Sequence, residues 1–278
     1  RQRGCLALTG RCYEMEGTPP FIPWVEIIER AARVVPKTAF RELLGDAAAE
    51  VAKLVPELRQ LFSDIPEPVE LPPEQQQRYL FSNCLAFFTR SARVTPHVLL
   101  IDDLHWSDES TLLLLQQVAQ QVSQMPVLVV GTYRDVDLEV DRPFAKTLES
   151  LTRQRLAHKV AMKRLPESDV AEMLKALSGQ QAPPELAQAV YRETEGNPFF
   201  VEEVFHHLEE EGKLFDGSGN WRSDLRVEDL DVPEGIRLVI GRRIQRLSDS
   251  HRHLLTMAAI VGRSFDLRLM DGFGADDQ

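Results

Sequence analysis

Three features of the sequence predict an α/β fold built on a parallel sheet and continued by a helical region. Short runs that are apolar on both faces, at 97–101 (HVLLI) and 127–132 (VLVVGT), alternate with stretches of helical periodicity. That is the pattern of parallel strands covered by helices. From Glu167 onward only helical patterns occur, apart from a hairpin signal at 216–219 (DGSG). With 278 residues, 43% of them hydrophobic, the chain can form one large domain or two smaller ones.

Taken in order, Cys5, Leu6, Ala7 and Leu8 lie between Gly4 and Gly10 and predict a buried strand. After the break at Pro19 and Pro20, Pro23 fits a helix start, where a missing N–H costs nothing. Trp24, Ile27, Ile28, Ala31 and Val35 then follow at helical spacing. A second apolar stripe comprises Leu43, Leu44, Val51, Leu54, Val55 and Leu58. Pro66, Pro68, Pro72 and Pro73 make 63–73 an irregular connector, and Tyr79, Leu80, Cys84, Phe87 and Phe88 mark the next helix.

The strand at 97–101 leads to a helix running to about Val122, for which Ser107 is the predicted N-cap. Asp108 and Glu109 fall in its first turn, where negative charge offsets the macrodipole. Behind the strand at 127–132, Pro143 opens a helix to about Arg153, and 159–162 (KVAM) predicts a further strand. The boundary between an α/β domain (1–165) and the helical region therefore falls near Leu165.

Composition narrows the function. The net charge of −11 counts against direct nucleic-acid binding by this segment, because phosphate contacts need clustered cations. No run of 18 apolar residues predicts a membrane span. Cys5, Cys12 and Cys84 lack metal or C-x-x-C spacing and read as buried thiols of a reducing cytosol.

The chemistry concentrates at 97–110. An apolar strand ending in Asp102 and Asp103 puts two carboxylates at the C-terminal edge of a parallel sheet, where open α/β folds bind ligands. A carboxylate there can hold Mg²⁺ bridging the phosphates of a nucleotide. The same aspartates also make sense as a solvated polar turn. Arg134 likewise reads either as a cation aimed at phosphate or as a surface Arg paired with Asp135 or Asp137. Asn197 and Pro198 make a good N-cap and first helical residue, with Gly212 as the stop, without any ligand. His206 and His207, being adjacent, face different directions and predict no metal site.

The segment 101–110 (IDDLHWSDES) resembles the Walker-B segment of the STAND-class signalling ATPases, AAA-like modules found in LuxR-type regulators and in cyclase- or kinase-linked receptors. Residues 10–14 (GRCYE) resemble that family's second strand and its exit, 129–135 (VVGTYRD) its sensor-1 strand, and 195–200 (EGNPFF) the G-x-P motif of its helical lid. The resemblance implies a P-loop-NTPase-like core (1–165), an all-helical lid (166–231) and the start of a winged-helix domain (232–278). It implies Asp102 as the Mg²⁺ ligand and Asp103 as the acid that orients the attacking water. Arg134, with Thr132, would sense the γ-phosphate, and Pro198, beside Asn197, would pack on the adenine. The implied cofactors are ATP or ADP with Mg²⁺. The implied partners are nucleotide, other domains of a parent chain and a nucleotide-dependent self-association, in a cytoplasmic protein with no membrane contact.

One element of the family is missing from the sequence: no G-x-x-x-x-G-K-[ST] occurs in it. Lys37-Thr38 follows a proline without upstream glycines, and Gly212-Lys213 is followed by leucine. The resemblance places that loop one helix before Arg1, on a central strand between 127–132 and 159–162. A gap or a collapsed contact between those strands, and little ATP binding by residues 1–278 alone, are the corresponding expectations. The function expected is a nucleotide-driven regulatory switch; the alternative is a nucleotide-free protein-interaction scaffold.

Overall fold

β1 (Leu6–Arg11), β2 (His97–Asp102) and β3 (Val127–Gly131) form a parallel sheet in that order. The computed structural model describes residues 4–14, 19–134, 143–222, 244–245 and 247–261. The chain divides into two units, Arg1–Val160 and Ala161–Gln278. The sheet belongs to the first. Its register pairs Leu8 with Leu99 and Arg11 with Asp102, then Leu99 with Val129 and Ile101 with Gly131.

Alternation along each strand separates two faces. Leu8, Gly10, Leu99 and Ile101 are buried against the helices. Ala7, Thr9, Val98, Leu100, Leu128 and Val130 point the other way and are half-buried or exposed. Leu128 is 59% exposed and Val130 39%. Parallel sheets normally have both faces covered, so one face of this sheet is bare among the described residues. The outer edge of β3 is also unpaired among them.

The helices follow their apolar stripes. α1 (Ile22–Val34) starts with Pro23 and buries Trp24, Ile27, Ile28 and Ala31. Its close approach to β1 demands Gly10, where a Cβ would lie 2.0 Å from the Pro23 carbonyl oxygen. The second stripe folds as three short helices rather than one: α2 (Lys37–Leu44), α3 (Ala48–Leu54) and α4 (Glu57–Leu61). α5 (Pro73–Val94) packs Phe87 against Phe40 and Phe88, and Phe88 against Trp24. α6 (Glu109–Gln121) follows β2, and α7 (Pro143–Arg153) has the bounds predicted from sequence.

Two expectations are corrected. Asp108, not Ser107, caps α6: its Oδ1 accepts the Thr111 N–H at 2.9 Å, and its Oδ2 also accepts the Phe21 N–H at 3.3 Å. A carboxylate with two acceptor oxygens can serve both helix starts at once, which a single hydroxyl at Ser107 does less well. Residues 159–162 form no strand. Among the described residues they pair with no strand, and Val160 and Met162 are 71% and 89% exposed rather than buried in a sheet. The thiols differ too. Cys12 and Cys84 are buried and their pKa values are pushed up to about 12 by burial, while Cys5 is only half-buried.

In the second unit α8 (Glu167–Ser178), α9 (Pro184–Thr194) and α10 (Pro198–Glu210) share a core of Val170, Leu174, Leu186, Val190, Val201, Phe205 and Leu208. The hairpin signal is realised as the antiparallel bridge between Phe215 and Trp221. The predicted winged-helix start at 232–278 lies outside the described residues except for 244–245, 247–248 and α11 (Asp249–Val261).

Two tests address this core. Gly10→Ala forces the Pro23 carbonyl away and is expected to lower unfolding free energy by about 3 kcal/mol in urea titration. The second concerns His97, which is buried with Nε2 2.8 Å from Ser91 Oγ, burial pulling its pKa below the ordinary value. The folded state thus resists a proton that the unfolded chain accepts near pH ~6.5, so stability should fall as pH drops below that value. His97→Gln should flatten the fall in Tm between pH ~7.5 and ~5.5; an unchanged slope would refute the assignment.

Candidate functional site

The parallel ladder runs one residue beyond β3: Thr132 N–H donates to the Ile101 carbonyl at 3.0 Å, and Leu104 N–H to the Thr132 carbonyl at 2.8 Å. Between those two bonds the chain must turn at Asp103, which adopts the left-handed conformation (φ 58°, ψ 43°). Aspartate is among the few L-residues that enter this region readily. The turn continues as a short 3₁₀ segment over Leu104–Trp106, closed by Trp106 N–H to the Asp103 carbonyl at 2.9 Å.

Thr132 ties the two acids together. Its hydroxyl donates to Asp102 Oδ1, and its oxygen accepts the Asp103 backbone N–H at 3.0 Å. Asp102, Asp103 and Thr132, all singled out by the sequence, therefore meet at the carboxyl ends of β2 and β3. The Asp102 side chain is 40% exposed; that of Asp103 is 13% exposed. By alternation Asp102 belongs to the bare face of the sheet, in the same row as Val98 and Leu100.

Arg134 lies two residues past Thr132, its guanidinium over the Trp106 ring at 5.5 Å from the centroid. Trp106 in turn lies 4.5 Å from the His105 ring. The indole thus holds the guanidinium by a cation–π contact beside the turn that carries both acids. Asp135 and Asp137, the alternative partners of Arg134, lie outside the described residues.

Arg11, which sequence reasoning passed over as part of a strand exit, completes the cluster. Its Nε and Nη2 donate to the same oxygen, Asp103 Oδ2, at 3.1 and 2.8 Å, and Nε is 4.0 Å from Asp102 Oδ2. Donating to the Asp103 carboxylate raises the guanidinium's pKa further above its ordinary value. A usable signal existed: in a parallel sheet of equal-length strands, the charged residue ending one apolar run stands beside the acid ending the next. Glu26 of α1 anchors this strand end, accepting the Arg11 backbone N–H at 2.9 Å and the Tyr13 hydroxyl at 2.8 Å.

The donor set suits a hard cation in part. Asp102 offers carboxylate oxygen at an accessible strand end next to a hydroxyl, the ligand chemistry Mg²⁺ prefers while keeping waters and substrate oxygens. Among the described residues no three His, Cys, Asp or Glu side chains gather to hold a metal. In the second unit, Asn197 caps α10 by accepting the Phe199 N–H at 3.2 Å, Pro198 opens that helix, and Gly212 follows it at φ 65°. Those bonds account for the three residues without a ligand.

Residues 1–130 match the model of a family described as AAA ATPase domain, and 167–214 match one described as Domain of unknown function (DUF8739). The first match supports an AAA-like ATPase module, with the nucleotide binding that such a domain implies, and agrees with the P-loop-NTPase-like α/β core followed by helices seen in the structure. No curated protein and no solved structure matches the chain. No described helix is long and apolar enough to cross a membrane.

Thr132→Val removes the bridging hydroxyl while keeping the shape. It should lower unfolding free energy by about 1 kcal/mol in denaturant titration, with Thr132→Ser close to wild type. A Val variant as stable as wild type would show that the tie contributes nothing.

Proposed function

We propose that this chain carries the acidic half of a nucleotide-hydrolysing switch in a cytoplasmic regulatory protein of the STAND type, such as the LuxR-like regulators. The observation that carries the reading is the Thr132 hydroxyl joining Asp102 to the backbone of Asp103 at the open end of the sheet. In this reading Asp102 would hold Mg²⁺, which would supply positive charge to offset that of the nucleotide phosphates. Asp103 accepts a hydrogen bond from the attacking water and takes its proton as oxygen bonds to the γ-phosphorus. The bond from that phosphorus to the β–γ bridging oxygen breaks, releasing ADP and phosphate. Arg134 stabilises the charge on the transferring oxygens.

The phosphates also need a cradle of backbone N–H groups. The reading puts it on an additional strand along the unpaired edge of β3, where Leu128 and Val130 leave apolar surface to cover. With that loop in place, nucleotide exchange would alter contacts with other domains of the protein and its self-association. The same reading gives Asn197 and Pro198 a part in nucleotide binding, and Pro198→Ala tests it through the nucleotide Kd.

Asp103→Asn in the full-length protein should cut turnover by about 10²-fold or more while ATP affinity holds, since the variant loses a base but no metal ligand. Asp102→Asn should weaken Mg²⁺-dependent ATP binding itself. Small, equal effects of both on turnover, or no ATP binding by the wild type, would favour the nucleotide-free scaffold.

A further inference from the structure

We infer that Arg11 is the positioning residue of the second acid, holding Asp103 by one oxygen so that the other is presented to the water. This rests on the assignment of Asp102 and Asp103 above, and extends it to a residue outside the acid motif. Three observations support it.

The first is the geometry of the contact. Both Nε and Nη2 converge on Oδ2, at 3.1 and 2.8 Å, where a guanidinium fork could instead have engaged the two oxygens in parallel. Among the described residues Asp103 Oδ1 has no comparable partner; His105 Nε2 lies 4.0 Å from it. One oxygen of the acid is thus fixed by charge and the other keeps its lone pairs for a small donor such as water.

The second observation is that both ends of the contact are themselves held. Asp103 is bound through its own N–H to Thr132 Oγ1, in a left-handed conformation that dictates where its side chain starts. Arg11 stands opposite Asp102 in the β1–β2 register, with its backbone N–H on Glu26 Oε2 at 2.9 Å. A flexible surface pair pays side-chain entropy to form and contributes little; here the strands have already aligned the partners.

The third is charge. Two carboxylates adjacent in sequence repel each other, and a bound divalent cation can engage only what they leave free. Arg11 neutralises Asp103 at 2.8 Å and lies 4.0 Å from Asp102. It therefore divides the labour, occupying the second acid and leaving Asp102 as the carboxylate open to a metal.

The experiment compares wild type, Arg11→Ala and Arg11→Lys in the full-length protein, reading kcat, KM for ATP, Mn²⁺ affinity by electron paramagnetic resonance with ADP present, and Tm. Arg11→Ala should lower kcat about tenfold or more with KM for ATP unchanged, as expected for a misplaced base. It should also tighten Mn²⁺ binding about fivefold, because a unit positive charge 4 Å from a metal ligand is removed. Arg11→Lys, keeping charge but not the fork, should restore the Mn²⁺ affinity of the wild type and only part of kcat. A fall in kcat that tracks loss of folded protein, with Mn²⁺ affinity unmoved, would overturn the inference and leave Arg11 as a strap between strands. So would full activity of Arg11→Ala. A wild type that neither binds nucleotide nor turns it over would instead overturn the nucleotide reading, and the inference with it.

Discussion

The in-phase parallel register of β1, β2 and β3 is the constraint from which the rest of this site follows. Because the strands end level, Arg11, Asp102 and Thr132 arrive side by side with no long side chain needed to bridge a gap. A slip of one residue in any strand would turn its side chains to the opposite face and break the row. The register is locked by what lies on the buried face. Leu8, Leu99 and Ile101 pack into the core, and Gly10 admits the backbone of α1 so closely that no other residue fits. Stability and chemistry are thus carried by alternate residues of the same strands.

The N-termini of two helices reinforce that lock. Asp108 accepts from Thr111 at the start of α6 and from Phe21 at the start of α1, and the Trp24 indole donates to the Thr111 carbonyl at 3.2 Å. Both helices therefore start from one carboxylate, a few residues beyond the acid pair. Left-handed residues occur on both sides of this junction, Phe21 at φ 68° and Asp103 at φ 58°. Such conformations are sustained only where surrounding bonds over-determine them; here the Asp108 and Thr132 contacts supply them.

The bare face of the sheet gives the site its direction. Asp102 shares that face with Val98 and Leu100, and Leu128 and Val130 extend it to the unpaired edge of β3. An edge strand with exposed apolar side chains is poorly protected from further pairing. Asp102 lies at the end of that uncovered surface. The second unit behaves differently: its three helices bury a core of their own, with Asn197 and Pro198 starting α10 and Gly212 following its end.

Much of this was legible in the order of residues. The strands at 97–102 and 127–131 and the helix opened by Pro23 follow from apolar runs bounded by turn and charge signals, because those signals act over neighbouring residues. The grouping of two acids with Thr132 was expected only from the family resemblance, since it joins residues about thirty positions apart. Where the outcome depended on a neighbour in space, local pattern misled. The run at 159–162 has strand composition but pairs with no strand among the described residues. Ser107 has cap chemistry, yet Asp108 reaches two helix starts. Arg134 could be foreseen as a cation at a strand end, but its seat on Trp106 could not; Arg11, 92 residues from Asp103 along the chain, was signalled only by its place at the end of an apolar run and was passed over. Sequence alone determined which residues are acidic, basic or apolar and which short segments become strands and helices. Tertiary structure decided which charges face each other, because that depends on the register of strands brought together from distant parts of the chain.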